Sequence, residues 1–250
     1  MKRITMEICC GSYEDVVIAE AAGADRVELN SSLFQGGLTP TLGCLIEVKK
    51  NTTVPIIAMV RPREAGFFYS KYEYEVMKRD AKLFIEHGAD GLVFGFLNPD
   101  GTFDKARMKE FTDICHAAGK EAVCHRAFDV TPDPFAALDT LIELKVNRVL
   151  TSGQQPSVIT GTKLVAELVK YATGRIEILP GAGLDSSNIA DFVEKTGVDQ
   201  VHFAATTLRA ETSTAINPSI YFGGALYPRE DVITIASGDA IKLTASAIGR

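Results

Sequence analysis

Ala22-Gly23-Ala24-Asp25-Arg26-Val27-Glu28-Leu29 sets a glycine just past a helical run and follows it at once with a short strand-like segment. The signal returns as His87-Gly88-Ala89-Asp90 before residues 91–94, as Ala118-Gly119-Lys120 before 121–125, and as Thr196-Gly197-Val198-Asp199 before 200–203. Glycine at such a place reads as a helix C-cap, because it enters the left-handed conformation with no Cβ penalty. Outward from these punctuation points, short apolar runs at 4–9, 26–29, 54–60, 91–94, 121–125, 148–150, 176–179 and 200–203 read as strands. Helical patterns cover 13–22, 40–50, 71–87, 104–118, a segment starting at Pro132 and Pro134 and running to about 144, then 161–172, 188–196, and a last helix within 229–248. Eight βα units in 250 residues average about 31 residues each, which predicts a single-domain TIM (β/α)8 barrel over residues 1–250. A doubly wound open sheet typically has fewer strands and often a glycine-rich loop after the first, and Cys10-Gly11-Ser12 is no such loop.

Composition narrows the function classes. The chain is 46% hydrophobic and 23% charged, which excludes a disordered polypeptide. Lys plus Arg number 26 against 32 Asp plus Glu, a net charge of −6 with no basic cluster, so broad binding to nucleic acid is not expected. The first ten residues turn polar by Gly11 and form neither a signal peptide nor a membrane span, so the expectation is a soluble, cytoplasmic protein. Cys9, Cys10, Cys44, Cys115 and Cys124 contain no CxxC pair and read as reduced thiols, Cys44 and Cys115 as core filler on helix faces. His87 and His116 read as structural or surface residues.

In a barrel of this kind chemistry sits at the C-terminal ends of the strands. Side chains alternate along a strand, so Glu7 shares a face with Cys9, Glu28 with Asn30, and Arg61 with Arg63, while His125 and His202 end strands five and eight. If these faces point inward, carboxylates, guanidiniums and imidazoles converge on one mouth. The set could neutralise itself as ion pairs, or it could serve a ligand. In the second case Arg61 and Arg63 clamp an anion, Glu7 or Glu28 is the general acid or base, and His125 shuttles a proton. The Pro180-Gly181-Ala182-Gly183-Leu184 loop adds backbone donors from Gly181 and Gly183 at the usual phosphate site of such barrels.

Met6-Glu7-Ile8-Cys9, Gly23-Ala24-Asp25-Arg26-Val27-Glu28-Leu29, Gly36-Gly37-Leu38-Thr39-Pro40, Arg61-Pro62-Arg63, Tyr69-Ser70, His125-Arg126-Ala127-Phe128-Asp129 and Arg148-Val149-Leu150-Thr151-Ser152-Gly153 follow in an order that resembles the CutC family, named for copper homeostasis. The likeness spans nearly all of residues 4–208 and is weaker over 209–228. It implies a TIM barrel in the cytoplasm that binds Cu(I) through cysteines, with Cys9 standing where the family has its first-strand cysteine. Asn30 stands where the family often has a second, and this departure weakens a two-thiolate site. Cu(I) prefers sulfur donors, and the mouth offers Cys9 with at best Cys10 or the inward-parity Met59. Cys10 would point the other way in a regular strand, and Cys124 has the opposite parity to His125. Asn30, Arg126, Asp129, Ser152 and His202 complete the expected substrate contacts. The expected partners are a copper ion or a small anion, together with further copies of the chain in a homo-oligomer. Two functions stay open: a copper homeostasis protein, and a barrel enzyme acting on a small phosphate or carboxylate.

Overall fold

The structure, a computed structural model, describes residues 3–222 and 231–250. Strands β1 (Thr5–Cys10), β2 (Arg26–Leu29), β3 (Ile56–Met59), β4 (Gly91–Phe94), β5 (Glu121–Cys124), β6 (Arg148–Thr151), β7 (Glu177–Pro180) and β8 (Gln200–Phe203) alternate with helices α1 (Tyr13–Ala21), α2 (Leu42–Asn51), α3 (Lys71–Glu86), α4 (Lys105–Ala117), α5 (Pro134–Glu143), α6 (Thr162–Ala172) and α7 (Ile189–Thr196). A hairpin of β9 (Thr206–Ala210) and β10 (Val232–Ala236) then leads to α8 (Gly238–Ala247). The eight strands form one parallel sheet in the order β7-β6-β5-β4-β3-β2-β1-β8, curled into a nearly closed TIM-type barrel. β1 lies between β2 and β8, with Glu7 opposite Arg26 on one side and His202 on the other. Among the described residues no backbone ladder joins β7 to β8, but Gln200 Nε2 donates to Glu177 Oε2 across that seam at 3.1 Å.

The repeated Gly-Ala-Asp signal does two jobs. Gly23 and Gly88 both close helices at φ 91. The aspartate two residues on ties neighbouring strands together at their starts: Asp25 Oδ2 accepts the N–H of Met6 in β1 at 2.8 Å, and Asp90 Oδ2 that of Ile56 in β3 at 2.9 Å. Asn147, ahead of β6, repeats the device on Ala122 of β5 at 2.8 Å. The prolines expected at the start of α5 sit as read, with Asp133 capping the N–H groups of Phe135 and Ala136 and Pro134 at the first turn.

Strand alternation separates two apolar regions. Outward residues, among them Met6, Ile8, Cys10, Val27, Leu29 and Cys124, pack beneath the helices in one large core. Inside the barrel Ile57, Met59, Val93 and Val123 form a smaller apolar layer. The hairpin is absent from the sequence reading, and its burial explains why. All five residues of β9 are exposed, so no period-two pattern marks them. It is fastened at its base, where Ala236 N donates to Asp15 Oδ1 at 2.6 Å and Ser237 N to Ala205 O at 2.7 Å. The last helix falls within the expected window, of which residues 229 and 230 lie outside the described residues.

Candidate functional site

The polar side chains of the barrel interior form two groups. At the N-terminal end Arg148 donates through Nη2 to Glu121 at 2.9 Å and through Nε to Glu177 at 2.8 Å. Glu177 also receives Gln200, whose Oε1 accepts Arg26 Nη2 at 2.9 Å, and Arg26 Nε pairs with Glu7. This chain of ion pairs is the floor. Above it, at the C-terminal end, a cavity of about 560 Å3 opens.

Glu7 links the two levels. It is 2% exposed and lies below the cavity, with Arg26 on Oε2 and His202 Nδ1 donating to Oε1 at 2.8 Å. Burial alone would raise its pKa, but Arg26 and His202 outweigh burial and hold its carboxyl well below the usual range. One step up, the cavity wall carries Cys9, Glu28 and His202, whose donor atoms all lie within 4.8 Å of one another. The Cys9 thiol donates to Glu28 Oε2 at 3.7 Å, and His202 Nε2 lies 3.8 Å from the same oxygen. Asn30 Nδ2 donates to Glu28 Oε2 at 2.9 Å and to Cys9 Sγ at 3.5 Å. Burial pushes the Cys9 thiol up to about 11, with Glu28 adding to the effect and His202 opposing it. Burial would also strip the proton from His202, but Glu28, Cys9 and Glu7 together raise its pKa well above the ordinary value. Glu28 is raised by burial and by Glu7 against the pull of His202.

On another part of the wall stand Arg61 and His125. Arg61 is 7% exposed, and its guanidinium is held by backbone carbonyls, Nη1 on Gln35 and Gly37 at 3.0 Å each and Nη2 on Ala65 at 2.9 Å. Among the described residues its Nε has no hydrogen-bond partner, and the buried Tyr69 hydroxyl is a neutral neighbour of the guanidinium. His125 does not extend β5; it caps the short 3-10 turn Arg126–Val130, its Nδ1 accepting the N–H of Ala127 at 3.1 Å. That bond assigns the proton of the neutral ring to Nε2, which is buried and has no partner among the described residues. Burial, helped by the Arg61 charge, lowers its pKa to about 3. Gly95 makes room for the ring, since a Cβ there would come within 2.6 Å of His125 Cε1. Phe67 packs beside both groups, 5.4 Å from Arg61 Cζ and with its ring centre 4.7 Å from that of His125.

Several expected neighbours are elsewhere. Cys10 is fully buried in the outer core, so it does not join Cys9, as strand parity requires. Arg63 does not share the cavity face with Arg61, because β3 ends at Met59 and the chain bends over residues 63–65. Its guanidinium instead meets Glu73, the carbonyls of Gly66 and Phe68 at 3.0 Å each, and the ring of Tyr69. Arg126 reaches the cavity rim, but its charge is taken by Asp129 at 2.7 Å. Asp129 also accepts from Thr151, Ser152 and Gln154, and Ser152 Oγ receives Arg126 Nη2 at 2.7 Å, so Asp129 and Ser152 fix the loops after β5 and β6 behind the wall. Gly183 lines the cavity, whereas Gly181 lies beneath it with its N–H donated to Thr151 O at 3.0 Å. Phe67, Leu150 and Leu184 also line the cavity, and no sequence signal distinguished them from core residues.

Residues 4–207 match the CutC family. The chain belongs to that family. A family protein CutC from Treponema denticola is 60% identical over 96% of both chains, and the human copper homeostasis protein cutC homolog is 42% identical over 88% of this chain and 80% of its own. Among solved structures, the CutC protein of Streptococcus agalactiae is 31% identical and superposes with a TM-score of 0.75, covering 80% of this chain and 98% of that one. Phosphoribosylanthranilate isomerase from Thermotoga maritima, at 10% identity and a TM-score of 0.56, shares the fold alone. Within this CutC barrel Cys9, Met59, His125 and His202 line one cavity together with the Glu28 carboxylate, which clusters with Cys9 and His202. The sulfur and imidazole groups suit a soft cation, and Glu28 adds a hard oxygen donor.

Proposed function

We propose that this CutC-family protein binds Cu(I) as cargo at the barrel mouth, on the Cys9 thiolate and the His202 imidazole, with the Met59 thioether in the same cavity. The observation that carries the reading is the convergence of the Cys9, Glu28 and His202 donor atoms within 4.8 Å in a cavity wall. The names of its human and mouse relatives, copper homeostasis protein cutC homolog, support it. So do five free cysteines, which suit a reducing compartment such as the cytoplasm. Burial holds the proton on Cys9 at neutral pH, and Glu28, Cys9 and Glu7 favour the protonated form of His202, so a cation that ligates these groups competes with protons. Affinity therefore rises with pH.

An anaerobic competition titration against a Cu(I) chelator, run at pH 6 and pH 8, tests this. The wild type is expected to take one Cu(I) per chain and to bind it more tightly at pH 8. Cys9→Ser should weaken binding by about a hundredfold or more, since loss of even an outer-sphere partner costs up to that much. Asn30→Cys, which sets a second thiol where an amide now touches Cys9 Sγ, should strengthen it by about tenfold or more. Undiminished binding in Cys9→Ser would overturn the assignment.

A further inference from the structure

Arg26, Arg61 and Arg148 are arginines at the barrel interior, and Arg26 and Arg148 have opposite charges in contact. Arg26 has Glu7, and Arg148 has Glu121 and Glu177. Arg61 is 7% exposed, and among the described residues no carboxylate lies within 4.0 Å of it. Its three hydrogen bonds all run to backbone carbonyls, which orient the guanidinium without neutralising it. A buried cation with no counter-charge is costly to keep. Arg61 keeps it in the wall of a cavity.

A second residue with an unpartnered buried donor lines the same cavity. Among the described residues His125 Nε2, which carries the proton of a neutral imidazole, has no acceptor, and Arg61 Nε has no charged one, its side-chain neighbour being the neutral Tyr69 hydroxyl. Both residues line the cavity, and Phe67 lies against both. The nearby carboxylates are otherwise engaged. Glu28 is bound by Asn30 and faces His202, Asp129 holds Arg126 and the loop after β6, and Asp185 at the rim accepts the N–H and hydroxyl of Ser187. The unmet need is therefore for an acceptor with negative charge. About 560 Å3 is far more room than a bare ion requires and falls in the range of small-molecule sites.

We infer that the Arg61 and His125 side of the cavity binds a small organic oxyanion, a carboxylate or a phosphate ester, with its charged end on Arg61 Nε and His125 Nε2. The remainder of such a molecule extends into the cavity toward Cys9, Glu28 and His202. The inference goes beyond copper binding and does not depend on it, since neither Arg61 nor His125 belongs to the Cys9 cluster.

Thermal unfolding of the whole protein in the presence of inorganic phosphate, glycerol 3-phosphate, acetate and succinate, each against chloride at matched ionic strength, tests the site. At least one oxyanion is expected to raise Tm by about 5 °C at a hundredfold excess over its Kd. The phosphate and carboxylate arms tell which head group the site takes. The rise should vanish in Arg61→Gln, shrink in His125→Phe, and persist in Arg63→Ala, whose guanidinium lies outside the cavity on Glu73. No shift in the wild type with any of the four would overturn the inference, and so would a shift unchanged in His125→Phe. The latter outcome decides the matter even where Arg61→Gln does not fold.

Discussion

Arg148 and Arg61 are both arginines buried inside one barrel, and the protein treats them in opposite ways. Arg148, at the floor, is held between Glu121 and Glu177, and the pairs run on through Gln200 and Arg26 to Glu7. Arg61, at the mouth, is held by neutral carbonyls beside an imidazole that cannot accept its charge. The floor answers each charge with another and closes the barrel from below, consistent with a stabilising role for that end. Among the described residues Arg61 Nε and His125 Nε2 at the mouth lack partners, as does Arg148 Nη1 at the floor, so what sets the mouth apart is the missing counter-charge beside a cavity, at the end where these barrels place their ligands. Charge inside a barrel is thus no mark of a site in itself; charge without a counter-charge, beside a cavity, is the more informative pattern.

The contrast can be broken most forcefully at the floor. Arg148→Met should destabilise the fold by about 3 kcal/mol, the lower end for a broken buried pair, because Glu121 and Glu177 are partly exposed and can turn to water. Urea denaturation would measure the loss, and a near-neutral result would show that the floor pairs add little. Binding at the mouth should be unaltered in this variant.

Acid titration sharpens the comparison at the other end. His125 is neutral in the folded protein down to about pH 3 and takes a proton near its ordinary 6.5 when unfolded. Its depressed pKa contributes stability that is present above pH 6.5 and is lost as pH falls toward 3. Within that window the wild type should lose up to about 1.4 kcal/mol per pH unit more than His125→Phe, which has no such proton to bind. Parallel unfolding curves for the two proteins between pH 6 and pH 4 would refute the buried neutral imidazole.

The smallest effect belongs to Arg63, which the sequence set beside Arg61 and the structure sets apart. Arg63→Ala should cost about 1 kcal/mol or less, as expected of a half-exposed ion pair with Glu73, and should leave any response to oxyanions intact. Loss of that response would return Arg63 to the mouth.

The outcome for Arg63 shows where sequence reading stops. Parity placed Cys9 inward and Cys10 outward, and both orientations hold because β1 runs regularly through Cys10. It failed for Arg63 because β3 ends at Met59, so no strand carries the alternation through Arg61 to Arg63. For Glu7 parity pointed inward as it should, but the level along the barrel axis is set by how β1, β2 and β8 are staggered, and that puts Glu7 below the cavity. Arg126, Asp129 and Ser152 entered only with the family resemblance, as expected substrate contacts. Their division into one rim residue and two loop supports depends on hydrogen bonds between β5 and β6 that no spacing encodes.

By itself the sequence determined the eight βα units, the inward or outward sense of residues within regular strands, and the family, since all three are written in local periodicity, capping glycines and ordered motifs. Only the tertiary structure decided which charges meet. Arg26 and Glu7, or Arg148 and Glu177, are 19 and 29 residues apart and come together through barrel register, while Arg61 is left facing open space. Pairing and desolvation are properties of the closed barrel, because each depends on what the neighbouring strand places at the same height.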